Sequence, residues 1–85
     1  MALEELASEL ESVTNWFVLG LHLGVPVEVL RRINGEHLSV EYSRIQMLAT
    51  LMENHDTQLT WSEIVGALTT MGELQLAKSI ASKNG

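Results

Sequence analysis

The sequence predicts an all-α domain: a six-helix antiparallel bundle whose third helix is short or irregular. In several stretches apolar residues recur at intervals of three and four, which is the spacing of a helix with one buried face. No stretch shows the alternation of apolar and polar residues that is typical of a β-strand. A chain of 85 residues, 46% of them hydrophobic, is long enough for one modest core and hence for one domain.

The first predicted helix carries an apolar seam, with glutamates on its other face. Near Thr14 and Asn15 it is expected to bend or restart, because both side chains compete for backbone hydrogen bonds. Gly20 lies inside the pattern, where glycine is unfavourable, and so indicates a close contact between helices. Gly24 is the expected stop. The apolar positions are Leu3, Leu6, Leu10, Val13, Trp16, Phe17, Leu19 and Leu23.

The second predicted helix begins at about Pro26. Proline suits a first helical position, because a backbone N–H there would have no hydrogen-bond partner within the helix and proline has none. It ends near Ile33 and buries that residue together with Leu30. Arg31 and Arg32 then face solvent near the helix C-terminus, where the helix dipole favours positive charge.

A turn is expected at Asn34-Gly35. From there to Ser39 the pattern is weak and predicts either a loop or a short third helix around Glu36–Leu38. Ser39 is the expected cap of the fourth helix. The stripe that this helix is expected to bury comprises Tyr42, Ile45, Leu48, Ala49 and Met52.

The last two predicted helices form a hairpin. Thr60 followed three residues later by Glu63 is the signature of a capping box. Gly72 is the expected end of the fifth helix, because glycine readily adopts the left-handed conformation of a C-terminal cap. Small residues, which let helices approach closely, are Gly66, Ala67 and Ala77. The two apolar stripes comprise Trp61, Ile64, Val65, Leu68 and Met71, then Leu74, Ala77, Ile80 and Ala81.

Composition argues against several classes of function. The net charge of −6 disfavours nucleic acid and anionic membranes, because such binding draws its affinity from clustered Lys and Arg. No apolar run approaches the roughly 20 residues that span a bilayer. The chain has no cysteine, and its acidic, amphipathic start is unlike a signal or transit peptide. These features predict a cytoplasmic protein whose partner is another protein.

Catalysis and cofactor binding are not predicted either. No nucleophile motif such as Gly-x-Ser-x-Gly occurs, and the stretch from Gly20 to Gly24 follows no strand, as a phosphate-binding loop requires. His22, His37 and His55 lack the spacing of a metal site and are more simply interpreted as surface or half-buried side chains. We therefore expect a chain without enzymatic activity, cofactor or metal.

Taken in order, the apolar landmarks resemble those of a death domain over nearly the whole chain. They are Trp16-x-x-Leu19-Gly20-x-x-Leu23-Gly24-Val25, Leu30-x-x-Ile33, Met47-Leu48-x-x-Leu51, Thr60-Trp61-x-x-Ile64-Val65-x-Ala67-Leu68-x-x-Met71-Gly72 and Leu76-Ala77-x-x-Ile80. The family usually has Trp where this chain has Leu51, and its third-helix segment is longer. The resemblance implies a six-helix bundle that binds other death-fold domains in cell-death or innate-immune signalling.

The resemblance also implies where such binding occurs. In that family, one contact joins the helix 1/helix 4 face of one domain to the helix 2 face of the next. Another joins the end of helix 4 and the following loop to the helix 5–6 region. A simpler interpretation, that these charged residues only form solvated helix faces, also fits the sequence. The candidate interface residues are Glu5, Glu9, Glu28, Arg31, Arg32, Glu53, Asp56 and Lys78.

Three other functions stay open on the sequence. A caspase-recruitment-like domain belongs to the same superfamily but fits the Thr60-Trp61 motif less well. A small monomeric helical regulatory domain is compatible with every pattern above. A helical DNA-binding domain would need a basic recognition helix, for which Arg31-Arg32 is the only candidate.

Overall fold

A computed structural model describes residues 2–54 and 59–84. That part of the chain forms six α-helices and contains no β-strand. The all-α prediction is therefore confirmed. The helices are α1 (Leu3–Glu9), α2 (Trp16–His22), α3 (Val27–Gly35), α4 (Val40–Asn54), α5 (Trp61–Thr70) and α6 (Leu74–Asn84).

The six helices divide the chain partly as predicted. The expected first helix restarts after Asn15, as predicted, but the break is longer than a bend, because residues 10–15 separate α1 from α2. Leu10 and Val13 in this connection are fully buried, so the apolar spacing continues across a break in the helix. Around Glu36–Leu38 the structure has the loop alternative, with a turn at Glu36 and His37, and not a short third helix. In the first segment, periodicity detects which residues are buried, but it does not detect whether the backbone between them is helical.

The turn between α3 and α4 also lies slightly later than predicted. Asn34 and Gly35 belong to α3, and the chain reverses at Glu36 and His37. His37 adopts the left-handed conformation, with φ 56°. Ser39 caps α4 as predicted, because its Oγ accepts a hydrogen bond from the Tyr42 N–H at 3.2 Å.

The core is formed mainly by α4 with α1, α2 and α3 around it, and by the α5–α6 pair, which contacts α2 through α5. Gly20 on α2 lies at a close contact, as predicted. A Cβ at this position would come within 2.7 Å of Leu30 Cδ2 and 3.1 Å of Met47 Cγ. The buried apolar residues are Leu6, Leu10, Val13, Trp16, Leu19, Val25, Leu30, Ile33, Met47, Leu48, Leu51, Leu59, Ile64, Ala67, Leu68, Ala77 and Ile80.

The predicted buried face of α4 is wrong for most of its members. Tyr42 is 63% exposed, and only Leu48 of the predicted stripe is fully buried. The face that meets the core carries Arg44, Met47 and Leu48, continued by Leu51. The remaining members of the predicted stripe, which are half-buried, are Ile45, Ala49 and Met52.

Helix α5 begins and ends as predicted. The Thr60 Oγ1 accepts a hydrogen bond from the Glu63 N–H at 3.2 Å, which caps α5. Gly72 follows the helix with φ 89°, and the next N–H, of Glu73, returns to the Leu68 carbonyl at 2.8 Å.

Several positions of the α5–α6 hairpin differ from the prediction. Leu74 and Ala81 in the α6 stripe are exposed, because the helix meets the core through Ala77 and Ile80, with Leu76 at the edge. Gly66 is exposed as well and makes no close helix contact.

Candidate interaction surfaces

Arg31 and Arg32 lie exposed on the outer side of α3, as predicted. Their orientation is fixed because Leu30 and Ile33 are buried in the core. With 3.6 residues per turn, burial of those two positions turns the neighbouring positions toward solvent. Glu28 is exposed for the same reason. The structure therefore presents a pair of guanidinium groups on one helix of an acidic chain.

The acidic face of α1 is exposed, but one of its candidate interface residues already has a partner. Glu5 lies exposed in the first turn of the helix. Glu9 accepts a hydrogen bond from the Lys83 Nζ at 3.3 Å, and this ion pair joins α1 to α6. Because the Lys83 side chain is 61% exposed, the pair contributes below about 1 kcal/mol. Glu9 is thus available to a partner only in competition with Lys83.

The residues of the second expected contact lie on different helices. Glu53 is exposed in the last turn of α4, and Lys78 is exposed on α6. Asp56 lies outside the described residues. Among residues 2–54 and 59–84, no ion pair joins one candidate interface residue to another. The charges of Glu53 and Lys78 face solvent.

Arg44 is a buried charged residue that sequence reasoning missed. Its Nη1 donates a hydrogen bond to the Val13 carbonyl at 2.8 Å, while its buried Nε has no hydrogen-bond acceptor among the described residues. A buried charge is costly unless it is paired, and this hydrogen bond offsets part of that cost. The sequence does hold a signal for it. Arg44 stands three and four residues before Met47 and Leu48, on the same helix face.

An open cavity of about 360 Å³ lies between the end of α2 and α5. Its ionisable groups are one imidazole and one carboxyl, His22 and Glu63. Nowhere in the described residues do three or more potential metal ligands cluster, and His55 lies outside them. The lining consists of His22, Leu23, Glu63, Gly66, Ala67 and Thr70.

Comparison with known proteins assigns no family. No protein-family model, curated protein or solved structure matches the chain. Within residues 2–54 and 59–84, no helix has the length and apolar character needed to cross a membrane. The outward-facing residues of the bundle are what the structure offers for inferring a function.

Proposed function

We propose that this chain is a protein–protein interaction module of the death-fold type, without catalytic activity of its own. The observation that carries the proposal is the exposed Arg31–Arg32 pair on α3, in a chain whose net charge is −6. Exposed glutamates on α1 provide a surface of opposite charge. The ordered landmarks that resemble a death domain, and the all-helical architecture, support the same proposal.

In the proposed assembly, the α3 surface of one molecule meets the α1/α4 surface of the next. The two surfaces differ, so the contact is heterologous and extends into helical or layered oligomers. Opposite charges steer the encounter and fix the orientation. A second contact of the same kind would pair Glu53 and Asp56 with the surface around Lys78. Such assembly would bring together enzymes or adaptors that are joined to the partners, in cell-death or innate-immune signalling in the cytoplasm.

A charge-swap experiment tests the first contact. Arg31→Glu places an acidic side chain in the α3 surface, and Glu5→Arg places a basic side chain in the α1 surface. Each variant alone should sediment as a monomer at concentrations where the wild-type chain forms species larger than a dimer. In an equimolar mixture, the unaltered α3 surface of Glu5→Arg can meet the unaltered α1 surface of Arg31→Glu, and the swapped residues attract each other across the alternate contact. The mixture should therefore grow beyond a dimer again, whereas it would stop at a heterodimer if the swapped residues did not attract. Raising the salt concentration should dissolve both the wild-type and the mixed oligomer.

Glu73→Arg serves as the control, because it makes the same change of charge as Glu5→Arg at an exposed residue that is not a candidate interface residue. It should leave the wild-type oligomer intact. Two results would contradict the proposal. One is a wild-type chain that stays monomeric at every salt and protein concentration, with no complex in the mixture. The other is an oligomer that Arg31→Glu and Glu5→Arg leave intact.

A further inference from the structure

Helix α4 has a second apolar stripe, which is only partly covered by the rest of the fold. Tyr42, Ile45, Ala49 and Met52 follow one another at intervals of three, four and three, which is the spacing of a helix–helix seam. At 3.6 residues per turn, the centre of this stripe lies roughly 130° around the helix from the centre of the core-facing residues. The helix therefore presents apolar residues in two directions.

The described part of the protein covers the outer stripe incompletely and leaves its first residue exposed. Tyr42 is 63% exposed, and it is the most exposed large hydrophobic side chain among the described residues. Ile45 and Ala49 are half-buried and do not belong to the core cluster, whereas Met52 packs against its edge. The stripe extends over about 15 Å, close to three turns of helix. A partner helix of similar length would cover it.

The charges beside the stripe indicate the kind of partner. Glu41 and Glu53 lie exposed beside it, near its two ends, and Gln46 is exposed between them. The one basic residue of α4 is Arg44, which is buried on the core face. Two copies of the outer face would bring glutamates together, which disfavours a symmetric contact. A helix with lysine or arginine beside its apolar seam would be attracted instead.

Neither basic helix of this chain supplies such a seam. Beside Arg31 and Arg32, α3 exposes one large hydrophobic side chain, Val27, because Leu30 and Ile33 are used in the core. Helix α6, which carries two lysines and no acidic residue, exposes one large hydrophobic side chain, Leu74. A second copy could match the charge of the outer face but not its row of apolar side chains. The matching partner is a helix from a different protein.

We propose that the outer face of α4 binds an amphipathic helix of another protein, with an apolar seam flanked by Lys or Arg. Tyr42, Ile45 and Met52 would pack between the seam residues of that helix, as in other helix-in-groove and helix-pair contacts. The exposed aromatic ring is the expected anchor, since interface hot spots are enriched in tyrosine. The α3 contact proposed above also uses α4, but this binding has a different partner and its test does not depend on that contact.

The chain contains a single tyrosine, which gives a probe at the proposed site. The full chain would be labelled with 3-fluorotyrosine and titrated with a synthetic helical peptide that has a leucine seam flanked by lysines. The fluorine resonance of Tyr42 should shift saturably. Two matched peptides separate the contributions of charge and of apolar packing to binding. One has glutamates in place of the lysines, and the other has alanines in place of the leucines. Both should bind at least tenfold more weakly.

Two variants, each with a matched control, locate the binding on α4. Ile45→Gln should weaken binding of the lysine peptide at least tenfold, whereas Leu74→Gln, at an exposed leucine of α6, should change it less than twofold. Circular dichroism would confirm that Ile45→Gln remains helical. Glu41→Lys should weaken binding about three- to fivefold and reduce its salt dependence, with no risk to the core because Glu41 is exposed. Glu73→Lys is the corresponding control.

Several results would overturn the proposal. Equal binding of the lysine and glutamate peptides would remove the charge argument, and equal binding of the alanine peptide would remove the apolar seam. A Leu74→Gln effect as large as that of Ile45→Gln would place the site elsewhere, and no shift up to millimolar peptide would mean that no such site exists. If the resonance shifts with protein concentration alone, and Ile45→Gln abolishes that shift, the face binds a second copy instead.

Discussion

Helices α3 and α4 differ in how their apolar residues are arranged. In α3 the large apolar residues Leu30 and Ile33 point inward, and the outer positions are mostly charged, so one face is apolar. Helix α4 has two apolar stripes: the core-facing residues, and an outer stripe that begins at Tyr42. Apolar spacing identifies the buried face when a helix has one stripe. When a helix has two, spacing alone does not say which stripe the fold uses.

The largest expected effects lie on the inner faces of both helices. Leu30 and Leu48 are fully buried. Leu30→Ala and Leu48→Ala should each lower the free energy of unfolding by about 3 kcal/mol, through lost transfer energy and the cavity left behind. Urea denaturation measures both. A loss below about 1 kcal/mol for Leu48→Ala would mean that the inner face of α4 is not where the structure places it.

Substitution of Arg44 measures how much the one charged residue on the inner face of α4 contributes to stability. The inner face of α3 has no such residue. Arg44→Ala should cost about 2 kcal/mol, because it leaves the Val13 carbonyl without its donor and opens a cavity. Arg44→Met retains much of the volume and removes the buried charge, so it should cost clearly less. Equal losses for the two variants would contradict this division between packing and charge. Arg31→Ala on the outer side of α3 is the matched control.

Substitutions at the N-terminus of α4 should lower the free energy of unfolding by an intermediate amount. Ser39→Ala removes the acceptor for the Tyr42 N–H and should cost about 1 kcal/mol, whereas Ser39→Thr retains a hydroxyl and should cost less. The start of α3 offers no equivalent test, because its N-cap residue is Pro26, which makes no side-chain hydrogen bond to the helix. Thermal unfolding of the two Ser39 variants measures the difference. Identical melting temperatures would show that the hydroxyl does not stabilise the helix start.

The smallest expected effects lie on the outer faces. Tyr42→Ala and Arg31→Ala should each change the free energy of unfolding by no more than about 0.5 kcal/mol, as exposed substitutions usually do. Denaturant titrations of the two variants beside Leu48→Ala give the comparison directly. If Tyr42→Ala cost 2 kcal/mol or more, the outer stripe of α4 would be part of the stabilising core.

The sequence was sufficient to predict those structural features that depend on residues close together in the chain. The Ser39 and Thr60 caps and the helix end at Gly72 each depend on residues within one turn, and all three are found as predicted. The orientation of α3 follows from Leu30 and Ile33 because no competing stripe exists. These features could be derived without knowing the rest of the fold.

Features that depend on distant parts of the chain could not be derived in this way. A restart near Thr14 and Asn15 was predicted, but the length of the break between α1 and α2 is hidden because Leu10 and Val13 continue the apolar spacing through it. The Glu9–Lys83 ion pair joins residues 74 positions apart, and no local pattern indicates it. For the candidate interface, exposure of Arg31 was predicted correctly, but the sequence did not show that Glu9 already has a partner.

The measurement that tests the account most directly is the free energy of unfolding of the double variant Tyr42→Gln/Ile45→Gln. Glutamine is a good helix former, so the substitutions remove apolar surface from the outer face without disfavouring the helix. If that face is spare surface for a partner, the variant should remain folded and lose no more than about 1.5 kcal/mol. A loss similar to that of Leu48→Ala would show that the fold itself needs the outer stripe, and α4 would then have no free apolar face to offer.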